Sequence, residues 1–293
     1  MARLARRLAA NAPGPFYVDA SCIDCGTCWQ WDPHHFAPCG ATAHVQRQPQ
    51  GEGELESALL ALRACPVAAI GAPAALVRRT PADGFPAPIT SHPAGAVLYC
   101  GWASARSFGA SSYLIVRPRG NVLIDSPRFN APLARRIEAL GGLAALVLTH
   151  RDDVADQERW ARRFGCPRWI HAADADAAPG AEAVVAGAEE VQLDPDLRLI
   201  PTPGHTEGSL VALLGEQVLF SGDHLWWSDT VQGVVASRAY CWWDWPSQVA
   251  SVERLAGLDV RWLLPGHGHR RPFGAGEWSR EIGRTLAFCR KGG

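Results

Sequence analysis

The chain has 293 residues and a formal net charge of −1, so it can hold two domains and carries no excess charge that would favour nucleic acid or an acidic membrane surface. No apolar run is long enough to cross a bilayer, and the basic start lacks the apolar core of a secretory signal. Four of the 9 cysteines stand at metal-type spacing within the first 65 residues, a distribution that favours a reducing cytoplasm over a disulfide framework.

The first predicted domain is organised around cysteines. Cys22, Cys25 and Cys28 stand at C-x2-C-x2-C spacing, and Cys65 precedes a proline. Three thiolates on one tight loop with a remote Cys-Pro suit a [4Fe-4S] cluster. A zinc site is the alternative, although zinc knuckles usually pair two C-x2-C units. Between the triplet and Cys65 the pattern predicts a strand in "AHVQRQP" and an amphipathic helix in "GELESALLALRA".

This segment resembles single-cluster bacterial-type ferredoxins over residues 14 to 72. The match includes Pro33 and Phe36 after the triplet and the ending "CPVAAI". The resemblance implies one [4Fe-4S] cluster, which would be held by Cys22, Cys25, Cys28 and Cys65. Such a cluster carries one electron or stabilises a fold.

A change of composition separates this domain from the rest of the chain. Residues 73 to 94 contain five prolines and show little periodicity, so a Pro-rich linker is predicted there. Residues 95 to 293 alternate apolar strands such as "NVLIDSP" and "LAALVLTH" with helices such as "APLARRIEALGG", "VADQERWARRFG" and "GEWSREIGRTLAFCRK". This alternation predicts a second, larger domain of mixed helix and sheet.

Polar residues recur where the predicted strands of this domain end. They are His150 in "LTHRDD", His205 in "TPGHTEGS", Asp223 in "FSGDH" and His267 in "LPGHGH". Imidazoles and carboxylates that converge from rigid strand ends can hold a metal ion. The sequence therefore predicts a metal centre in this domain.

The order of these motifs and the residues within them resemble those of the metallo-β-lactamase superfamily over residues 95 to 270. The resemblance implies an α+β chain in which the small ferredoxin-like iron-sulfur domain precedes a four-layer αββα metallo-β-lactamase fold. It also implies that His150 is the first histidine of the H-x-H-x-D-H signature and that His205 and His267 are later ligands. Asp223 would bridge two metals.

The chain departs from this signature after His150. Asp152 stands where the second histidine is expected, and Val154 and Ala155 stand where the aspartate and last histidine are expected. Because Asp152 and Asp156 are four residues apart, both are predicted to face the metals from a helix start. Asp153 ranks below these two as a candidate ligand, and the alternative is that it caps that helix. One or two ions of iron, zinc or manganese are expected.

Three functions are open at this point. An oxygen-rich ligand set favours iron or manganese, and the flavodiiron proteins, an oxidoreductase branch of the superfamily, also place a carboxylate at the second-histidine position. The first hypothesis is therefore an oxidoreductase with a non-haem iron site that the cluster feeds with electrons. The second is a metallo-hydrolase of an ester, thioester, lactone or amide, in which Asp156 would orient the water. The third is a non-catalytic iron-sulfur protein with a degenerate metal site.

The same hypotheses define the expected partners. We expect a small-molecule substrate, and a redox partner protein would suit an electron-carrying cluster. We expect neither nucleic acid nor a membrane as partner, and a cytoplasmic location. The tryptophans of "HLWWSDT" and "CWWDWP" would line a flat apolar pocket or pack the domains together. The sequence does not define the oligomeric state.

Overall fold

The computed structural model describes residues 2–81 and 83–291. The strands are β1 Tyr17–Val18, β2 Phe36–Cys39, β3 Thr42–Val45, β4 Ile70–Gly71, β5 Ala87–His92, β6 Gly95–Tyr99, β7 Tyr113–Val116, β8 Val122–Ile124, β9 Ala145–Val147, β10 Arg168–His171, β11 Ala183–Val185, β12 Val191–Asp194, β13 Leu197–Pro201, β14 Leu210–Leu214, β15 Val218–Gly222, β16 Trp226–Ser228, β17 Gly233–Val235, β18 Trp262–Pro265 and β19 Arg271–Pro272. The helices are α1 Thr27–Trp31, α2 Glu52–Ala64, α3 Ala74–Val77, α4 Ala131–Ala139, α5 Gln157–Phe164, α6 Trp245–Arg254 and α7 Glu277–Cys289.

The amino-terminal unit packs α1 and α2 against two small antiparallel strand pairs, β1 with β4 and β2 with β3. The predicted helix in "GELESALLALRA" is α2, which has glutamates in its first turn and Arg63 in its last, as the helix dipole favours. Its apolar face buries Ala58, Leu59 and Ala61 in a core with Phe16 and other residues of the unit. Leu60 and Ala64 of the same helix belong instead to the core of the larger unit, so α2 packs on both units.

The first large sheet has seven strands in the order β11-β10-β9-β8-β7-β6-β5. Its edge strand β5 lies inside the stretch that the prolines predicted to be linker, since residues 87–92 pair antiparallel with β6. Prolines are tolerated at a sheet edge because the missing N–H group there has no partner to lose. The connection between the two units is therefore shorter than residues 73–94.

The second large sheet has six strands in the order β12-β13-β14-β15-β18-β19. Strand β14 is buried on both faces, and its alternate residues divide between two cores. Leu210, Ala212 and Leu214 point to the first sheet, whereas Val211 and Leu213 pack on α6 and α7. Helices α4 and α5 cover the outer face of the first sheet. The predicted four-layer αββα arrangement is confirmed.

The polar strand exits meet at one edge of this sandwich. Strands β8, β9 and β10 run parallel, and so do β15 and β18, so their carboxyl ends point the same way within each sheet. None of the described helices is both long and apolar enough to span a membrane.

Candidate metal centre and its cavity

Asp223 is the centre of the converging side chains. Its Oδ2 atom lies 3.7 Å from His150 Nε2, 3.9 Å from His205 Nε2 and 3.7 Å from His267 Nε2. His150 follows β9, Asp223 follows β15 and His267 follows β18, so rigid strand ends deliver them. The structure thus brings together the four residues that the strand-exit motifs predicted.

The two consecutive aspartates that follow His150 face different parts of this cluster. Asp152 Oδ2 lies 3.4 Å from His205 Nε2 and 4.0 Å from His150 Nε2. Asp153 instead joins Asp223 and His267 in a group whose ligand atoms lie within 4.8 Å of one another. The six side chains form two overlapping sets that share Asp223, and each set is a candidate metal position.

Asp156 does not lie in either set, in contrast to the sequence prediction. Its carboxylate accepts a hydrogen bond from the Phe129 N–H at 2.8 Å and lies beside Arg106. The reason is local, since α5 begins only at Gln157 and Ala155 has a left-handed φ of 27°. Helical i, i+4 spacing therefore does not apply between 152 and 156.

Asp153 faces the metal site, where the sequence had placed Asp156. It is 1% exposed and, among the described residues, its Oδ2 atom has no hydrogen-bond partner. A helix cap would use that oxygen on a backbone N–H group. Asp153 is thus a candidate metal ligand and not the cap that the sequence suggested.

The unpartnered atoms test whether this site fits metal ions. Among the described residues, His150 Nε2, His205 Nε2, Asp153 Oδ2 and Asp223 Oδ1 are buried and have no partner. Buried polar atoms without partners are costly, and they are commonly explained by an ion or water. Two donors that each lie about 2.1 Å from one tetrahedral ion are roughly 3.4 Å apart. The distances from Asp223 Oδ2 to the three histidine Nε2 atoms are close to this value, so these residues fit metal ions.

The outer hydrogen bonds orient two of the histidines. Thr149 donates its hydroxyl to Asp125 at 3.0 Å, and its oxygen lies 3.0 Å from His150 Nδ1. Because the single hydroxyl proton is used on Asp125, His150 Nδ1–H donates to Thr149 and Nε2 keeps its lone pair for a metal. His205 Nδ1 donates to the Tyr240 carbonyl with the same result.

Asp125 and Thr149 were missed in the sequence. Asp125 directly follows β8 in "NVLIDSP", a strand exit like the other four, and this was the available signal. Its carboxylate also accepts the Thr149 N–H at 2.8 Å. Burial, with a contribution from the charge of Asp223, raises the pKa of Asp125 to about 7.

The electrostatics favour a cation. Burial, together with the charges of Asp223 and Asp125, raises the pKa of Asp153 well above its ordinary value. Burial also acts to raise the pKa of Asp223, but His267, His150 and His205 outweigh it and lower that pKa. Two buried carboxylates this close repel each other unless a proton or a metal ion lies between them.

A cavity of about 830 Å³ opens in front of these residues. Asp152, Asp153, Asp223 and His267 form one side. Residues of the amino-terminal unit, including Cys25, also line this cavity. The remaining wall is rich in aromatic side chains, namely Trp29, Phe108, Trp226, Tyr240 and Trp242.

The cysteine triplet and Cys65 fit a cluster. The backbone N–H groups of Ala43 and Ala69 donate to Cys22 Sγ and Cys65 Sγ, each at 3.3 Å. Such hydrogen bonds to sulfur are typical of iron-sulfur ligands and tune their potential. Burial, with the charges of Cys65 and Cys22, raises the pKa of Cys25 to about 11 against the opposing bonds from Thr27. Bound iron would neutralise these crowded thiolates.

Family models match both parts of the chain. The model described as the 4Fe-4S single cluster domain of ferredoxin I matches residues 18–72, and that of the metallo-beta-lactamase superfamily matches residues 106–267. A hydroxyacylglutathione hydrolase from Acidiphilium cryptum strain JF-5 is 33% identical over 162 residues, which is 53% of this chain and 63% of that protein. The matched part thus spans less than two thirds of that relative.

Solved structures agree on the fold. The DIM-1 metallo-beta-lactamase is 14% identical with a TM-score of 0.53, over 70% of this chain and 96% of that one. VMB-1 is 14% identical with a TM-score of 0.51 and the same coverage. From the family matches and this fold, we conclude that the chain belongs to the metallo-beta-lactamase superfamily of metal-dependent enzymes and carries a single-cluster 4Fe-4S domain ahead of that fold.

Proposed function

We propose that this protein is an oxidoreductase that acts on a small molecule in the cavity between its two units, with a [4Fe-4S] cluster and a two-metal centre as its redox groups. One observation carries the proposal: Cys25 lines the same cavity as Asp152, Asp153, Asp223 and His267. A cluster that served only to stabilise the fold would not need a cysteine ligand in this wall.

The donor set supports redox-active metals. His150, Asp152, His205 and Asp223 would hold the first ion, and Asp153, Asp223 and His267 would hold the second. Three carboxylates beside three imidazoles form a harder set than the usual zinc ligands, which favours iron or manganese. When bound, such ions supply a Lewis-acidic position with accessible oxidation states, and the cluster supplies single electrons.

The contact between the units supports electron exchange. Thr27 Oγ1 donates to the Gly109 carbonyl at 2.9 Å, and Gly109 lies directly against Cys25. The preceding residue, Phe108, has its ring 6.2 Å from that of His267, centre to centre. Tunnelling falls steeply with distance, so continuous packing from Cys25 to a metal ligand is the arrangement that electron transfer requires.

The walls of the cavity suggest the shape of the substrate. Tyr240 and Trp242 are 57% and 63% exposed, and their rings lie 6.3 Å apart beside His205. Exposed aromatic groups that cluster at a cavity mouth commonly contact a ligand. We therefore expect a substrate with a flat apolar part.

Hydrolysis is the second candidate function. It is favoured by the similarity to a hydroxyacylglutathione hydrolase and by the retained histidines His150 and His205. The role of water orientation that the sequence suggested for Asp156 is not supported, since that carboxylate binds the Phe129 N–H outside the cavity. The third hypothesis, a degenerate site, is disfavoured by four buried ligand atoms with no other partner among the described residues.

Metal analysis separates these functions. Protein purified without oxygen should contain about four sulfides per chain and iron or manganese beyond the iron of the cluster. His205→Ala should lose only the excess metal, whereas His171→Ala, a strand-end histidine outside the site, should keep it. Zinc in place of that excess, with thioester cleavage that survives Cys65→Ser, would favour hydrolysis.

A direct redox test follows. The cluster is reduced with dithionite, and its reoxidation by small oxidants such as dioxygen is followed by its visible absorption. Reoxidation that is rapid in the wild-type protein and slow in His205→Ala supports the proposal. Equal rates in both proteins would contradict it.

A further inference from the structure

The helix α1 connects the cluster loop to the second metal position. It has 5 residues, Thr27–Trp31, and includes Cys28. A helix this short does not persist on its own in water, so its place depends on what holds its ends. It begins directly after Gly26, whose φ is 81°, in the loop that carries the cysteine triplet. Bound cluster would therefore fix the position of α1.

The outer side of α1 contacts the segment that carries His267, residues 266–270, which we term the His267 loop. In the amide orientation that satisfies both partners, Gln30 accepts the Gly268 N–H at 3.1 Å and donates to the Gly268 carbonyl at 3.2 Å. Arg270 donates to the Gln30 carbonyl at 3.0 Å, and the rings of Trp29 and His269 lie 5.0 Å apart. All three contacts are made by the residues that directly follow His267 in the sequence.

Gly268 leaves little freedom to this loop. Its φ is 93°, and a Cβ there would lie 2.6 Å from Trp226 Cβ. The backbone at 268 is therefore held between Trp226 on one side and Gln30 on the other. Gly266 is held separately, because its carbonyl accepts the Ser111 N–H at 2.7 Å.

The first metal position has no hydrogen-bonded link to α1 among the described residues. Among the described residues, no hydrogen bond joins α1 to His150, Asp152 or His205. His267 is the single histidine of the second set and is 28% exposed, whereas His150 and His205 are buried. A change in α1 should therefore affect the second position and spare the first.

We propose that Gln30 is a positioning residue through which the intact cluster holds His267 in place, so that the second metal position reaches full affinity only when the cluster is bound. This inference rests on the two-metal centre of the proposed function. It makes the cluster a requirement for the assembly of that centre in addition to its role as electron carrier.

The test uses Mn²⁺ as the probe. Full-length protein with its cluster, verified by acid-labile sulfide, is freed of other metal with a mild chelator and titrated with Mn²⁺ under EPR. Two neighbouring Mn²⁺ ions give a coupled spectrum and a single ion does not. Gln30→Ala should bind the first ion as the wild type does and the second about 10- to 100-fold more weakly, the range for outer hydrogen-bond partners of ligands.

Three variants complete the test. Gln30→Glu keeps an acceptor for the Gly268 N–H and should restore part of the second affinity. Gln46→Ala removes a glutamine whose bonds stay within the amino-terminal unit and should leave both affinities unchanged. Cys65→Ser, which should lack the cluster but leaves Gln30 in the chain, should lose the coupled spectrum.

The outcomes distinguish the two proposals. Gln30→Ala with intact sulfide and an unchanged coupled spectrum would overturn the inference and leave the two-metal centre standing. Wild-type protein that binds no more than one Mn²⁺ would overturn the two-metal centre and the inference with it. Selective loss of the second ion in Gln30→Ala, with the first retained, supports both.

Discussion

Asp153 and Asp223 approach the same backbone position from two directions. A Cβ atom at Gly266 would lie 2.8 Å from Asp153 Oδ2 and 2.7 Å from Asp223 Oδ1. Only glycine leaves both oxygens in place, which gives a physical reason for the glycine before His267. The same closeness makes the charge of this pair dependent on what binds between them.

The substitution Asp153→Asn should have opposite effects with and without metal. In the metal-free protein we expect it to raise the free energy of unfolding by about 1–3 kcal/mol, because a neutral amide removes the cost of a buried carboxyl group beside the charge of Asp223. With metal present we expect it to abolish the second ion and lower thermal stability. Calorimetry with and without Mn²⁺ measures both.

Asp156→Asn is the matched control for this change. Asparagine can still accept the Phe129 N–H that Asp156 binds, so the metal stoichiometry should not change. Loss of metal in Asp156→Asn with retention in Asp153→Asn would reverse our assignment of these two residues.

Thr149→Val should weaken the first metal position without changing its ligands. Valine has nearly the same shape but leaves Asp125 and His150 Nδ1 without the hydroxyl they share. We expect a loss of about 1–3 kcal/mol in stability and a fall of about 10- to 100-fold in metal affinity. Thr149→Ser keeps the hydroxyl and should restore the affinity, and a failure to do so would assign the effect to packing.

Gly109→Ala should impair the cluster. A Cβ there would lie 2.7 Å from Cys25 Sγ, and overpacking of this kind costs about 1–3 kcal/mol. Sulfide per chain should fall. Gly165→Ala is the control, since Gly165 has a left-handed φ of 64° but no atom within 4 Å of an added Cβ. An equal loss of sulfide in both variants would point to general instability.

Trp242→Ala should weaken the binding of apolar ligands and leave stability nearly unchanged, because this side chain is 63% exposed. With the dye anilinonaphthalene sulfonate as probe, we expect affinity to fall about tenfold, or ~1.4 kcal/mol. Trp243→Ala removes the neighbouring tryptophan, which does not line the cavity, and should bind the dye normally. Equal losses would show that the dye binds elsewhere on the surface.

The metal-site predictions that agreed with the structure depended on strand exits. His150, His205, Asp223 and His267 each follow a regular strand, so their convergence depends on sheet geometry that sequence periodicity reports well. Asp152, Asp153 and Asp156 lie in an irregular loop, where the backbone turns at Ala155 and no periodicity applies. The direction of each of these three side chains is therefore set by the local turn and not by a repeating pattern.

The contact between the units was beyond sequence reasoning for another reason. The side chain of Gln30 bonds the backbone of Gly268, far away in the chain, and no motif links these two residues. Edge strand β5 was not predicted, because the prolines in and around it gave this stretch the composition of a linker. Local patterns in a single sequence do not report contacts of this kind between distant parts of the chain.

Because Cys25 lines the cavity, a cluster bound to it is exposed to small molecules that enter the cavity. The opening that admits a substrate also admits peroxide, nitric oxide and other small reagents, which then reach the cysteine loop without unfolding of either unit. A ligand that fills the cavity closes this route. Occupied protein should therefore keep its cluster longer in air than empty protein, and the lifetime of the cluster becomes a measure of how well a compound fits.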